Sequence, residues 1–238
     1  MWHGQRVCVV LPAFNEASHI EQAVRDFQRM GVVDEVVVVD NNSTDGTPER
    51  AAAAGARVTS EPRQGYGFTC QRALREASGE LIVLAEPDGT FLGRDILKLL
   101  AYADDFQMVL GTRTSRLFIW EGANMGLFLK WGNWAVAKLL QALFNGPSMT
   151  DVGCTMRLIH RDALRKIQRR FSVGASHFSP EMTLLALAER IPVVEVPLNY
   201  CPRVGQSKIT GRFSRAATVL RAKRRRSWMT LEAIPEPV

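Results

Sequence analysis

The sequence predicts an α/β fold on a mostly parallel central sheet, and three observations carry that prediction. Short apolar runs at 6–11, 36–39, 81–85 and 106–111 lack the polar alternation of a strand with one wet face, which is how strands covered on both sides read. Between them lie segments of helical spacing and turn-rich loops, the order of right-handed β-loop-α winding. Composition agrees: 238 residues, 46% hydrophobic and 23% charged, can bury one sizeable core and are too apolar for a disordered chain. Eighteen glycines and eleven prolines exclude collagen-like and low-complexity architectures.

The first run ends at Pro12, as expected for a strand covered on both faces. Ser18-His19-Ile20-Glu21 then has the capping-box pattern, and Ile20, Ala23, Val24 and Phe27 recur with helical period up to Gly31. The second run leads into Asp40-Asn41-Asn42-Ser43-Thr44-Asp45-Gly46, a turn-rich loop, with Thr47-Pro48 as N-cap and first helical residue. A strand near 57–59, a loop at 61–67 and a helix over 68–77 continue the alternation. The next strand stops at Glu86-Pro87-Asp88-Gly89, and a helix at 96–103 leads to a fifth strand at 106–111. After Gly111 a Trp-rich helical region, 120–144, departs from simple winding. A short segment at 154–159, a helix at 180–189 and a strand at 193–198 complete the order. One domain over 1–211 and a basic tail over 212–238 are expected.

Cys8, Cys70, Cys154 and Cys201 are too far apart for a zinc ribbon or a C-x-x-C pair, which reads as buried thiols in a reducing compartment. The six residues ahead of Val7 are too few for a secretory signal, and 127–144 carries Lys130, Asn133, Lys138 and Gln141, too polar for a membrane span. A cytoplasmic protein without a transmembrane helix is expected. The net charge of +6 is uneven: from Arg203 onward nine basic residues face two acids, and the rest of the chain sums to −1. That end is expected to face anions or solvent.

Ligands of open α/β sheets bind at the carboxyl ends of the strands, so the polar residues just after strands are the candidates. They are Asn15 and Glu16, Asp40 and Asp45, and Glu86 and Asp88. Three acidic loops on one edge would repel an anion by themselves, so they hold a divalent cation, or the hydroxyls of a sugar or ribose, or both. In Glu86-Pro87-Asp88 one carboxylate can reach a hard metal while the other fixes hydroxyls or the loop; a solvated acidic turn is the plain alternative. His3, His19, His160 and His177 have no metal-ligand spacing.

Three segments, Val10-Leu11-Pro12-Ala13-Phe14-Asn15-Glu16, 39–47 and Glu86-Pro87-Asp88-Gly89-Thr90, resemble the three ordered nucleotide-sugar motifs of family 2 glycosyltransferases. Within that family the resemblance is nearest to the polyprenyl or dolichyl phosphate mannose and glucose synthases. Gly111-Thr112-Arg113, the segment 150–157 and Arg203-Val204-Gly205-Gln206-Ser207-Lys208 extend it over roughly 6–210. The resemblance implies a GT-A fold and inverting transfer of glucose or mannose from UDP or GDP. It also implies roles by position: Pro12, Phe14, Glu16 and Asp40 for nucleobase and ribose, Asp88 with Glu86 for Mg²⁺ or Mn²⁺, and Arg113, Arg203 and Lys208 for phosphates. A metal and fixed cations would stabilise the charge that develops on the departing nucleoside diphosphate. Two positions depart from the pattern: Glu86 stands where the first Asp is usual, and Thr90 where mannose synthases often have a metal-binding Gln.

The acceptor divides on Asp151. A polyprenyl phosphate is already ionised near neutral pH and needs no base, whereas a hydroxyl acceptor needs a carboxylate within reach. As a base, Asp151 implies an alcohol; as a support for Arg157 or the acceptor loop, it is compatible with a phosphate. A nucleotide-sugar-binding protein without activity is the third reading. The helix over 127–144, with Trp131 and Trp134, reads either as a core helix or as an interfacial helix that receives a polyprenyl chain. The cluster Arg221 to Arg226 beside Trp228 suits a peripheral position on an anionic cytoplasmic leaflet, with a solvated tail as the alternative. Nucleic acid is not expected, because no base-reading motif accompanies the charge.

Overall fold

A computed structural model of the chain describes residues 1–123 and 127–204. Lys208 and the tail over 212–238 lie outside the described residues. Seven strands, β1 (Val7–Ala13), β2 (Glu35–Asp40), β3 (Arg57–Ser60), β4 (Leu81–Leu84), β5 (Met108–Thr112), β6 (Arg157–His160) and β7 (Val193–Pro197), form one sheet. Its order is β3-β2-β1-β4-β6-β5-β7. All neighbours are parallel except β6, which runs antiparallel to both β4 and β5. The predicted mostly parallel α/β sheet is the one observed.

The helices are α1 (Ile20–Gln28), α2 (Thr47–Ala53), α3 (Tyr66–Glu76), α4 (Ile96–Ala101), α5 (Leu127–Phe144), α6 (Arg161–Ile167) and α7 (Phe178–Ala188). They cover both faces, so each face of a strand meets an apolar layer. Cys8, Val10, Val37, Ile82 and Met108 pack toward α3, α6 and α7. Val7, Val9, Val38, Val83 and Val109 pack toward α1 and α4. This two-sided burial explains the absence of alternation, and each Val or Leu so enclosed contributes about 1.5–3 kcal/mol relative to exposure.

Two helix starts differ from the sequence reading. His19, not Ser18, is the N-cap of α1, and no side chain caps it; the N–H groups of His19 and Ile20 bond the Glu16 carbonyl instead, while Glu21 pairs with Arg25 one turn on. At α2, Gly46 at φ 83 is the N-cap and Thr47 is the first helical residue. The Thr47 hydroxyl is drawn away from capping because it donates to Asp45 and accepts from the Glu16 N–H. Within the Trp-rich region, 127–144 forms α5, and a 3₁₀ turn at Arg116–Phe118 precedes the region.

Asn133, Ala137 and Leu140 of α5 are buried, whereas Trp131, Trp134, Leu139 and Leu143 are 64%, 42%, 41% and 51% exposed. The helix is therefore apolar on its inner side and on much of its outer side. No helix of the described residues is long and apolar enough to cross a membrane.

Candidate active site

Winding proceeds outward from β1 to β2 and β3, then returns to place β4 on the other side of β1. A crevice opens at such a reversal, and here it is a cavity of about 240 Å³ lined by Pro12, Phe14, Glu16, Glu86, Asp88 and Arg203, with Asn41, Gln64, Tyr66 and Thr69. The fold thus brings together Pro12, Phe14, Glu16, Glu86, Asp88 and Arg203 from the sequence reading. Asp40 stands at the end of β2 beside them.

The β1 and β2 loops are laced to each other. Asn15, at φ 52, donates its N–H to Ser43 (2.8 Å) and accepts from the Thr44 N–H (2.8 Å). Ala17 N–H reaches Asp45 at 3.0 Å. Asp45 is thereby a structural tie. Asp40 accepts from the Ser43 N–H through Oδ2, while its Oδ1 is buried without a hydrogen-bond partner among the described residues. A buried acceptor left open in this way suits a ligand hydroxyl.

Asn41 is the clamp that motif reading passed over. Its amide donates to the carbonyls of Glu61 (2.8 Å) and Arg63 (2.9 Å), and its oxygen accepts from the Gly65 N–H (2.8 Å). It fixes the loop that carries Gln64, Tyr66 and Thr69 into the cavity. A second Asn directly after a buried strand was the available signal; Tyr66 carried none.

Asp88 follows β4 through a turn closed by Gly89 at φ 79. Its Oδ1 accepts from Thr90 N–H (3.0 Å) and Oγ1 (2.6 Å), so Thr90 orients this carboxylate. Oδ2 is buried without a hydrogen bond among the described residues and faces Arg203 Nη1 at 3.2 Å. Arg203 Nη2 reaches Glu16 at 3.2 Å, so one guanidinium spans the loops after β1 and β4. Val204 N–H to Asp88 O (2.9 Å) and Cys201 N–H to Thr90 O (2.9 Å) fasten that segment down. Burial, then the neighbouring Asp88, push the Glu86 carboxyl up to about 8, with Arg203 and Arg113 opposing.

A Glu86 carboxyl raised by burial and by the Asp88 beside it, next to an Asp88 oxygen that only an arginine faces, would fit a divalent cation that shares its remaining positions with a ligand and water. Among the described residues there is no group of three or more His, Cys, Asp or Glu for an all-protein cage, so such an ion would rely on its ligand.

Antiparallel β6 sets the other wall. Leu84 and Leu110 both register with Arg157, so the residues entering β6 meet those leaving β4 and β5. Gly111 permits the approach, since a Cβ there would lie 2.7 Å from the Met156 carbonyl. Arg113 consequently meets Asp151: Nε to Oδ2 is 2.8 Å, Nη2 to Oδ1 is 2.9 Å, and Arg113 N–H to Oδ2 is 3.1 Å. Burial alone would raise the Asp151 carboxyl, but the Arg113 charge and these bonds outweigh it and hold it below the usual range. Asp151 does not reach Arg157, which is buried and bonds the carbonyls of Cys154 and Ser179 and the Thr183 hydroxyl. Glu195, an acid inside an apolar strand, holds Thr150 N–H (2.8 Å), Thr150 Oγ1 (2.8 Å) and Asp151 N–H (2.7 Å).

An acidic cleft at the reversal of a mixed α/β sheet, spanned by Arg203, is the candidate site of a GT-A fold. The glycosyl transferase family 2 profile matches residues 8–168, and the chain belongs to that family. It is 31% identical over 207 residues to the low-salt glycan biosynthesis hexosyltransferase Agl6 of Haloferax volcanii, covering 84% of this chain and 49% of Agl6; the chain thus spans about half the length of that relative. The dolichyl-phosphate hexose transferase of the same organism is 29% identical over 205 residues, covering 85% and 86% of the two chains. In structure, glucosyl-3-phosphoglycerate synthase from Mycobacterium tuberculosis, solved with Mn²⁺, UDP and phosphoglyceric acid, superposes with a TM-score of 0.65 at 23% identity, covering 86% of this chain and 72% of that one.

Proposed function

We propose that this glycosyltransferase moves a hexose, glucose or mannose, from a UDP or GDP donor to a polyprenyl phosphate. The carrying observation is that the carboxylates of the acceptor wall are spent: Asp151 on Arg113 and Glu195 on the 150–151 backbone. Neither is placed as a base for an alcohol, and a phosphate acceptor, ionised near neutral pH, needs none. Asp151 then acts by positioning Arg113. The exposed apolar side of α5 supplies a surface on which a polyprenyl chain and a bilayer boundary could rest, and the relative named as a dolichyl-phosphate hexose transferase supports the same acceptor class.

On the donor side, Pro12 and Phe14 would flank the base and Asp40 Oδ1 would accept from ribose. Glu86 and Asp88 would hold Mg²⁺ or Mn²⁺, which when bound neutralises the departing diphosphate. Arg203 would turn from Asp88 to that diphosphate, with Arg113 and Lys208 as further cations. The second reading, a soluble acceptor, is favoured by the stretch of 95 residues that is 39% identical to a mycobacterial glucosyl-3-phosphoglycerate synthase.

A radiolabelled transfer assay decides between them, with UDP-glucose and GDP-mannose in parallel, divalent metal, a short polyprenyl phosphate, and Asp88→Ala as control. Label in the organic phase, lost in the control, upholds the proposal and names the sugar. Label that stays aqueous with lipid but transfers to phosphoglycerate moves the assignment to a soluble acceptor.

A further inference from the structure

The opposite end of the sheet holds a second, larger cavity of about 620 Å³. Leu81 registers with His160, so the residues before β4 and after β6 lie together at the amino end of β4. Glu86 and Asp88 leave its carboxyl end. The second cavity is thus separate from the donor cleft.

Four arginines line it: Arg75 from α3, and Arg161, Arg165 and Arg169 from α6 and the 3₁₀ turn behind it. No carboxylate does, among the described residues. The spacing of four puts Arg161 and Arg165 on one face of α6, where like charges repel; Arg169 joins them from the 3₁₀ turn and Arg75 from the other wall. Neighbouring acids are committed elsewhere. Glu76 pairs with Arg57 and Arg72, Glu35 with Arg57, and Glu80 accepts from the Arg6 N–H. Asp162 meets Arg165 at 3.0 Å, but both are largely in solvent, where such a pair is worth little.

Arg161 is preset for an anion. Its Nε and Nη2 donate to the carbonyls of Ala77 (2.6 Å) and Gly79 (2.7 and 3.1 Å), which fix the plane and leave Nη1 without a partner among the described residues. Carbonyls hold the group without cancelling its charge. Burial first, and the like charge of Arg165, weaken its hold on its proton, with Cys8 and Glu80 opposing.

We propose that this cavity binds an anion carrying more than one phosphate group, through Arg75, Arg161, Arg165 and Arg169. Guanidinium forks match phosphate oxygens bidentately, and four of them exceed what one phosphate requires. The same chemistry is offered by a soluble oligophosphate and by clustered phosphate headgroups of an anionic bilayer.

Inorganic tripolyphosphate is titrated by calorimetry, in chelator, into the full chain, into Arg165→Ala/Arg169→Ala and into Asp88→Ala. In parallel, cosedimentation is measured with phosphatidylcholine vesicles with and without phosphatidylglycerol. Both substituted arginines are exposed, and circular dichroism confirms that the double variant folds. Binding of tripolyphosphate that weakens at least tenfold in the double variant and is unchanged in Asp88→Ala assigns a soluble oligophosphate. No tripolyphosphate binding, with phosphatidylglycerol-dependent sedimentation lost at least tenfold in the double variant, assigns the headgroup. If neither probe distinguishes the double variant from the parent, or tripolyphosphate binding follows Asp88 instead, the proposal is overturned.

Discussion

Asp151 and Arg113 lock together across the gap between the end of β5 and the entry to β6, through two side-chain bonds of 2.8 and 2.9 Å and a third from the Arg113 N–H at 3.1 Å. Removing one partner of such a pair strands the other's charge in a largely buried site, Arg113 being 15% exposed, which costs about 3 kcal/mol, the low end for buried pairs. Asp151→Asn should therefore lower stability to urea by about 3 kcal/mol. The paired carboxyl is held below the usual range, so its stabilisation is present above the ordinary carboxylate pKa and is lost as pH falls through the depressed value. Stability of the Asn variant should accordingly fall less on acidification than that of the parent. An Asn variant as stable as the parent, but lacking the acidic limb of its pH–rate profile, would instead mark Asp151 as a general base.

Glu86 has the opposite sign. A carboxyl raised to about 8 when folded is ionised in the unfolded chain from about pH 4.3 upward, so stability declines between those values. Glu86→Gln removes the titration. In metal-free buffer at pH 7.5 the variant should be more stable by on the order of 1 kcal/mol, after allowance for partial exposure and coupling to Asp88. Metal-dependent transfer should fall at least tenfold in the same variant. A melting curve series from pH 5 to 8 reads the first effect and initial rates read the second.

Arg203 is the cation that holds Asp88 and Glu16 at once. Arg203→Ala leaves Asp88 Oδ2 buried without a partner among the described residues, at a cost of about 1–3 kcal/mol. Under the proposed donor role it also raises KM for the nucleotide sugar more than it lowers kcat. Saturating Mn²⁺ should recover the stability, because a bound cation replaces the missing charge, but not the KM. Thermal shift with and without Mn²⁺, beside donor-dependent kinetics, separates the two effects.

The sheet was legible because strands buried on both faces leave an unmistakable apolar signature, and Val7 to Leu11 and Val36 to Val39 are all buried. Residues just after those strands, Glu16, Glu86 and Asp88, were legible for the same reason: topology places strand ends at the crevice. What escaped was tertiary. That β6 runs backward between β4 and β5 is invisible in a four-residue strand, yet it alone brings Asp151 to Arg113 rather than to Arg157. The arginine-lined cavity escaped because summing charge along the sequence balances Arg75, Arg161, Arg165 and Arg169 against acids that the fold sends elsewhere. Capping failed locally at Thr47 because its hydroxyl found a better use across the loop.

Trp131 and Trp134 meet edge to face at 5.7 Å between ring centroids on the outward side of α5, where Leu139 and Leu143 extend the same exposed surface. Were α5 an ordinary core helix, truncating a tryptophan would leave a cavity at a cost of about 3–5 kcal/mol. Exposed as they are, replacing both by Ser should change stability by less than about 1 kcal/mol. Their apolar area then has another use, and Trp suits the boundary between acyl chains and water. Cosedimentation with phosphatidylcholine vesicles should weaken at least tenfold in the double Ser variant, a loss of about 1.4 kcal/mol. Transfer to a water-soluble, short-chain polyprenyl phosphate should persist, since the donor cleft is untouched. Unchanged vesicle binding would remove α5 from the membrane contact, and a large loss of stability would return it to the core.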